Sequence, residues 1–235
     1  MELMNLSNIP ATTEALQTVY GAEYYEAGHG GAGYEESYGR ALSAYWGREL
    51  FEESGLNSSG GILDFGAGFG VISAALPDVW CYDSSEVAQR ALRNRQRKVV
   101  SDLTEIPQRQ LKYILSSHSL EHCAEPYKEL CRLREIIRKD GSLLLVLPFE
   151  KTRVDATLKP DQNRHLYCWT HQTVVNLLDL AGWKATQQRT LYSPYGLQLL
   201  RLRLGCSEPL AIRWAHFGSR LRRKRWGLLT LATPK

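Results

Sequence analysis

The chain has 235 residues, which suits one domain with extensions or at most two small ones. Hydrophobic residues make up 43% and charged residues 23%, an ordinary globular balance with enough apolar material for a core. A net charge of +4 is too small to argue alone for nucleic acid, and no apolar run approaches the roughly 20 residues that span a bilayer.

The N-terminus, MELMNLSNIPATTEALQ, carries acids and lacks the basic-then-apolar start of a secretory signal. The five cysteines (Cys81, Cys123, Cys131, Cys168 and Cys206) lie far apart with no CxxC. They read as reduced thiols of a cytoplasmic protein. Residues 11–55 are helical in part, broken by HGGAG at residues 29–33, which is too rich in glycine to stay helical. Residues 61–65 (GILDF) then form a short apolar run ending at glycines, as a buried parallel strand does. Residues 69–76 have helical spacing, and Pro77 stops them. A second strand is expected over 78–82 (DVWCY), then a helix over 85–93 that the Ser84 hydroxyl can cap. Residues 98–101 make a third strand and 111–117 (LKYILSS) a fourth. An amphipathic helix over 126–138 precedes the most apolar strand, 142–147 (SLLLVL). A helix over 172–180 is followed by strands near 183–191 and 197–204, joined as an antiparallel pair by SPYG at 193–196.

Strands and helices alternate from residue 61 to residue 180, which predicts helices on both faces of a mostly parallel sheet. Past Gly205 the composition changes. Leu210, Trp214, Phe217 and Leu221 form one helical stripe, followed by Arg220, Arg222, Arg223, Lys224, Arg225 and Trp226. Three readings of this tail stay open: a helix packed on the domain or on a second subunit, contact with an anionic membrane, or contact with nucleic acid. The chain thus divides into an N-terminal cap (1–55), a central domain (56–205) and a basic amphipathic extension (206–235).

The strongest site signal is DFGAGFG, residues 64–70, between a strand and a predicted helix. Glycines there allow a tight turn and let a ligand approach bare backbone. A dinucleotide fingerprint needs glycines at its first, third and sixth positions. Here Gly66 and Gly68 fit, but the sixth position is Val71, which weakens a nicotinamide or flavin reading. No Gly-Lys-Ser/Thr follows, so a P-loop fails. Asp83 ends the second strand, 17 residues after Gly66, where a carboxylate can accept both hydroxyls of a ribose.

DFGAGFG followed by CYDSS resembles the first two motifs of the class I S-adenosylmethionine-dependent methyltransferases. SSHSLEHCAEPYKELCRLREIIRKDGSLLLVLPFE is similar to their stretch from strand four to strand five, and HLYCWTHQTVVNLLDLAGW to the later segment before strand six. The likeness covers about residues 60–204. It implies a three-layer Rossmann-like α/β sheet, mostly parallel with an antiparallel last strand and helices on both faces. It implies S-adenosylmethionine as methyl donor, with S-adenosylhomocysteine as product. The methionyl part would lie over Gly66, Ala67 and Gly68, next to Asp64; Asp83, with Ser84 beside it, would hold the ribose. Asp102 would face the adenine amine, with Leu103 alongside. Ser117 and His118 would line the donor pocket, and Tyr25 and Tyr34 would reach the donor from the N-terminal cap. Three places depart from the family's habits: Leu111–Lys112 stand where Phe-Asp is frequent, Cys81 stands where a glycine is common before the ribose acid, and Asp140–Gly141–Ser142 replaces Pro-Gly-Gly.

Residues 118–122 read HSLEH, which fits the zinc-protease pattern H-x-x-E-H. That reading wants both histidines on one helical face. This string begins where strand four ends, and neither Cys123, His165 nor His171 adds a zinc spacing, so no metal is expected. His118 is the first candidate general base, because histidine titrates near neutrality and this one borders the donor pocket. His165, in the polar KPDQNRHLYCW connection, is the second. The plain alternative for each is a hydrogen bond that anchors a loop. The function expected is in-line methyl transfer to a small-molecule, sugar or lipid-linked acceptor. The alternatives are a non-catalytic S-adenosylmethionine-binding subunit and an RNA methyltransferase using the basic tail. Nucleic acid is disfavoured, since no Asn/Asp-Pro-Pro-Tyr-type tetrapeptide follows strand four.

Overall fold

The computed structural model describes residues 60–76, 78–149, 165–192 and 225–235, with isolated positions between 205 and 218. Tyr25, Tyr34, the HGGAG break and the predicted 197–204 strand lie outside the described residues.

Among the described residues seven strands form one sheet: β1 (Ile62–Phe65), β2 (Val79–Tyr82), β3 (Lys98–Val100), β4 (Leu111–Ser117), β5 (Ile137–Pro148), β6 (Trp183–Tyr192) and β7 (Arg225–Pro234). Their spatial order is β3-β2-β1-β4-β5-β7-β6. The first five pair in parallel, while β7 runs antiparallel to both β5 and β6. Sequence order reverses direction across the sheet at β1 and β4, and ligand crevices of open α/β sheets lie at such a switch point, beyond the carboxyl ends of the strands.

Strand period two sorts the apolar residues onto two faces. Leu63, Phe65, Ile114, Leu143, Leu145 and Leu147 face one core cluster. Ile62, Tyr113, Leu115, Leu144 and Val146 face the other. Helix α2 (Pro126–Ile136) covers the first face through Leu130 and Leu133, four and seven residues into the helix, and α3 (His171–Leu180) adds Val174 and Leu178. Helix α1 (Glu86–Asn94) covers the second through Leu92. Each fully buried leucine contributes about 1.5–3 kcal/mol relative to exposure. Trp183 closes the first cluster, and its indole N–H donates to the Leu130 carbonyl at 3.0 Å.

Three sequence expectations need correction. Residues 69–76 are turns with one short 3-10 segment, Ser73–Ala75, in place of a helix. The reason is backbone conformation: Gly66, Gly68 and Gly70 all sit at positive φ, so the chain coils where the apolar spacing alone suggests a helix. The N-cap of α1 is Ser85, not Ser84, and its amide is bonded by the Asp83 carboxylate. Finally, the partner of β6 is Arg225–Pro234, so the tail from residue 225 belongs to the sheet and not to an amphipathic extension. Leu228, Leu229 and Ala232 of β7 are buried in it.

Two of the three departures from the family pattern meet in space. Lys112 Nζ lies 2.8 Å from Asp140 Oδ2, bridging β4 to a bulge in β5 where the register jumps. Gly141 is required there, because a β-carbon would stand 2.8 Å from the Lys112 carbonyl and 2.6 Å from Ile137 Cγ1.

Candidate functional site

The glycine loop leaves β1 and is tied to β2 at once. Gly66 N–H and Ala67 N–H both donate to the Tyr82 carbonyl, at 2.8 and 3.0 Å. Asp83, 7% exposed, binds both sides of the crevice: Oδ2 accepts from Gly68 N–H at 2.8 Å and Oδ1 from Ser85 N–H at 2.9 Å. A carboxylate has about four acceptor positions, so Asp83 can fix the loop and still take hydroxyls. Sequence spacing puts Asp83 at the end of β2, and its bond to Gly68 is visible only in the folded loop. At the loop's outer end, Arg95 bonds the Phe69 carbonyl and lies over the Phe69 ring.

The three loop glycines do different work. A β-carbon on Gly66 would meet Ser119 Cβ at 2.4 Å, so this turn packs directly on the loop after β4. A β-carbon on Gly70 would meet Leu92 at 2.7 Å, so Gly70 packs against α1. Around Gly68 none of the described residues lies within 4 Å of that position. Bare backbone at φ +52 therefore stands clear of the described residues at the switch point, as a cradle for a nucleoside ligand must.

Asp64, 2% exposed, lies beneath the loop. Burial pushes its carboxyl up to about 6, against opposing help from Ser73. Ser84 is exposed beside the crevice. Asp102 is 54% exposed at the end of β3 and caps the short Leu103–Glu105 turn, accepting from Thr104 N–H at 2.8 Å. The Thr104 bonds, and Arg132 more weakly, hold its carboxyl below the usual range. Leu103 is 2% exposed in the core, so its side chain packs with the sheet and only its backbone is left for a ligand. Ser117 is buried at the carboxyl end of β4, in register with Val146 of β5.

Past Ser117 the chain turns sharply. His118 has φ +51, uncommon for a residue with a side chain, and its N–H donates to the Val146 carbonyl at 2.9 Å. Its Nδ1 lies 3.3 Å from Glu121 Oε1. Glu121 is fully buried. Burial would raise its carboxyl, but His118 and His122 outweigh that and hold it below the ordinary value. Burial pushes the neighbouring Cys123 thiol up to about 12, so it stays protonated at neutral pH.

Leu120–His122 is a single 3-10 turn, so HSLEH does not present both histidines on one helical face. Instead, His165 arrives from far along the chain. Leu166 N–H donates to the Glu121 carbonyl at 2.9 Å and the Tyr167 hydroxyl to the Ala124 carbonyl at 2.7 Å. The His122 and His165 rings meet edge to face at 4.9 Å. Ligand atoms of Glu121, His122 and His165 all lie within 4.8 Å of one another. Sequence reading weighed Glu121 and His122 within HSLEH and set that string aside; it did not single out Ser119 or the approach of His165, 43 residues downstream of His122.

A family model described as a methyltransferase domain matches residues 36–188, more than half of the chain. Among curated proteins no match is found. The fold is similar to that of a SAM-dependent methyltransferase from Aquifex aeolicus, at 15% identity and TM-score 0.56, over 83% of this chain and 92% of that one. It is also similar to Burkholderia thailandensis 1,6-didemethyltoxoflavin-N1-methyltransferase, solved with 1,6-didemethyltoxoflavin and S-adenosylhomocysteine. That likeness has 16% identity and TM-score 0.59, over 94% of this chain and 88% of that one. Glycine loop, ribose-spaced acid, sheet order and domain match agree: the chain belongs to the class I S-adenosylmethionine-dependent methyltransferases.

Proposed function

We propose that this enzyme methylates a small-molecule, sugar or lipid-linked acceptor, and that Gly66–Gly68 and Asp83 hold the donor. The observation that carries the donor site is the bare backbone at Gly68, clear of the described residues, in a loop whose position Asp83 fixes. The residues fit the group. Glycine backbone admits the methionyl chain, Asp83 keeps acceptor positions for ribose hydroxyls, and exposed Asp102 can accept from an adenine amine. S-adenosylmethionine brings a methyl group already activated by its sulfonium. The protein's task is therefore alignment and exclusion of water, which can supply several kcal/mol of barrier reduction.

Among the described residues, His118 is the best placed base. Glu121 lies on the Nδ1 side, which assigns the proton to that nitrogen and fixes the ring at the carboxyl end of β4. His165 stands with His122 across the same loop and fits acceptor positioning better than proton transfer. The small-molecule class is supported by the Burkholderia neighbour, whose acceptor is a small heterocycle. Leu210, Trp214 and Phe217 are exposed apolar residues, which suits an acceptor that is itself lipid-linked.

Calorimetric titration with S-adenosylmethionine and S-adenosylhomocysteine tests the donor site. Binding of both, weakened at least tenfold in Asp83→Ala, is expected. No binding to either refutes it. Transfer of labelled methyl from the donor to extracts fractionated by chemical class then tests the acceptor; label confined to the RNA fraction would refute the small-molecule reading.

A further inference from the structure

We propose that Glu121, His122 and His165 form a three-ligand site for a divalent transition-metal ion of the zinc class. Two imidazoles and a carboxylate are a donor set that such ions favour, and three protein ligands leave a coordination position open. Four-coordinate ligand atoms at about 2.1 Å from an ion stand about 3.4 Å apart. The three side chains, with ligand atoms within 4.8 Å, exceed that by at most about 1.4 Å.

A second observation points to a cation. Glu121 is completely buried, yet its Oε2 takes no hydrogen bond from the described residues, and Oε1 has only His118 at 3.3 Å. Taking a carboxylate out of water costs several kcal/mol unless positive charge or hydrogen bonds replace the water, and among the described residues imidazoles are what stand beside this one. A divalent ion between Glu121 and the two rings supplies that charge directly and gives Oε2 a partner. His118, on the other carboxylate oxygen, then orients the ligand from behind, as outer partners of metal ligands do. The backbone bonds from Leu166 and the Tyr167 hydroxyl bond to Ala124 clamp the two ligand-bearing segments together. Zinc-type spacing is invisible in the sequence because one ligand comes from a distant segment.

The position gives the ion a use. Ser119, two residues before Glu121, touches the donor loop at Gly66. Resting on the methyl-transfer reading above, the open position takes an oxygen of the acceptor, which narrows the acceptor to a hydroxyl- or carboxylate-bearing compound.

Chelator-stripped full-length protein, titrated with Co²⁺ and followed by its visible absorption, tests the site. One Co²⁺ per chain, displaced by Zn²⁺, is expected. Affinity should fall at least tenfold in His165→Ala and in His122→Ala. Cys168→Ser, which removes an exposed thiol nearby, should leave it unchanged. Because His122 borders buried Glu121, circular dichroism checks that variant's fold, and His165→Ala carries the test if it fails. Absence of saturable binding, or an affinity in both histidine variants unchanged from that of the parent protein, overturns the proposal. Titration of the same stripped protein with S-adenosylhomocysteine separates the two readings. Nucleoside binding without Co²⁺ binding refutes the metal site alone; Co²⁺ binding through these residues without nucleoside binding refutes the methyl-transfer reading.

Discussion

The contact between Gly66 and Ser119 joins the donor loop to the loop after β4, and it can be tested through stability. Gly66→Ala introduces a β-carbon at φ +73, which costs an L-residue about 1–2 kcal/mol. The same atom would overlap Ser119 Oγ at 2.1 Å and Cβ at 2.4 Å. The Oγ can rotate away, but the Cβ moves only with its backbone, so overpacking adds about 1–3 kcal/mol. The single variant should lose about 2–5 kcal/mol in urea unfolding. For a chain of this size that is about 4–20 °C in Tm. Ser119→Gly removes both offending atoms and leaves Ser119 Cα at 3.6 Å, an ordinary contact. The double variant should therefore recover the overpacking part and keep only the backbone strain. Across the four proteins the coupling energy should be about 1–3 kcal/mol, the range for residues in direct contact. If the two single effects simply add, within about 0.5 kcal/mol, the loops do not pack as described and the ion site loses its place beside the donor.

Gly68→Ala should separate from Gly66→Ala: its β-carbon meets none of the described residues, so stability falls only about 1–2 kcal/mol by backbone strain while S-adenosylhomocysteine affinity, read by calorimetry, falls much more. Asp64 makes stability depend on pH. Its carboxyl is raised from 3.8 to about 6, so the folded state holds the proton more tightly; stability is full below pH 4 and lost as pH rises toward 6. The loss is about 3 kcal/mol, and Asp64→Asn, measured against the parent by urea unfolding at pH 4 and pH 7, should abolish it. Gly141→Ala, which would press a β-carbon on the Lys112 carbonyl and on Ile137, should cost about 1–3 kcal/mol in the same assay without changing donor affinity.

The sheet was legible wherever local pattern decides structure. ILDF, VWCY and LLLVL are short buried runs bounded by polar turns, and such runs pair in parallel between amphipathic helices. Phe69, Ile72 and Leu76 misled because their spacing mimics a helix, while the conformation is set by three glycines at positive φ. Strand β7 was hidden for a different reason. Its apolar GLLTLA core follows a run of arginines that dominates the composition, and its pairing with both β5 and β6 is a long-range fact no local window contains. Asp83 was recoverable from its register after β2, but its bond to Gly68 required the loop's shape. The Glu121–His122–His165 cluster lay furthest from reach, since HSLEH shows only two of its three members.

The placement of β7 sets an order on biogenesis. Among the described residues β6 does not pair with β5; it joins the sheet through β7, a strand that is synthesised more than thirty residues later. While translation covers that interval, β5 presents its Leu143–Pro148 edge with no partner, an apolar ribbon of the kind that recruits chaperones or neighbouring chains. Ribosome-arrested chains stalled before residue 225 should accordingly stay protease-sensitive and chaperone-bound. Arrest far enough beyond residue 234 to free β7 from the exit tunnel should release them; early resistance would show that β5 finds another cover.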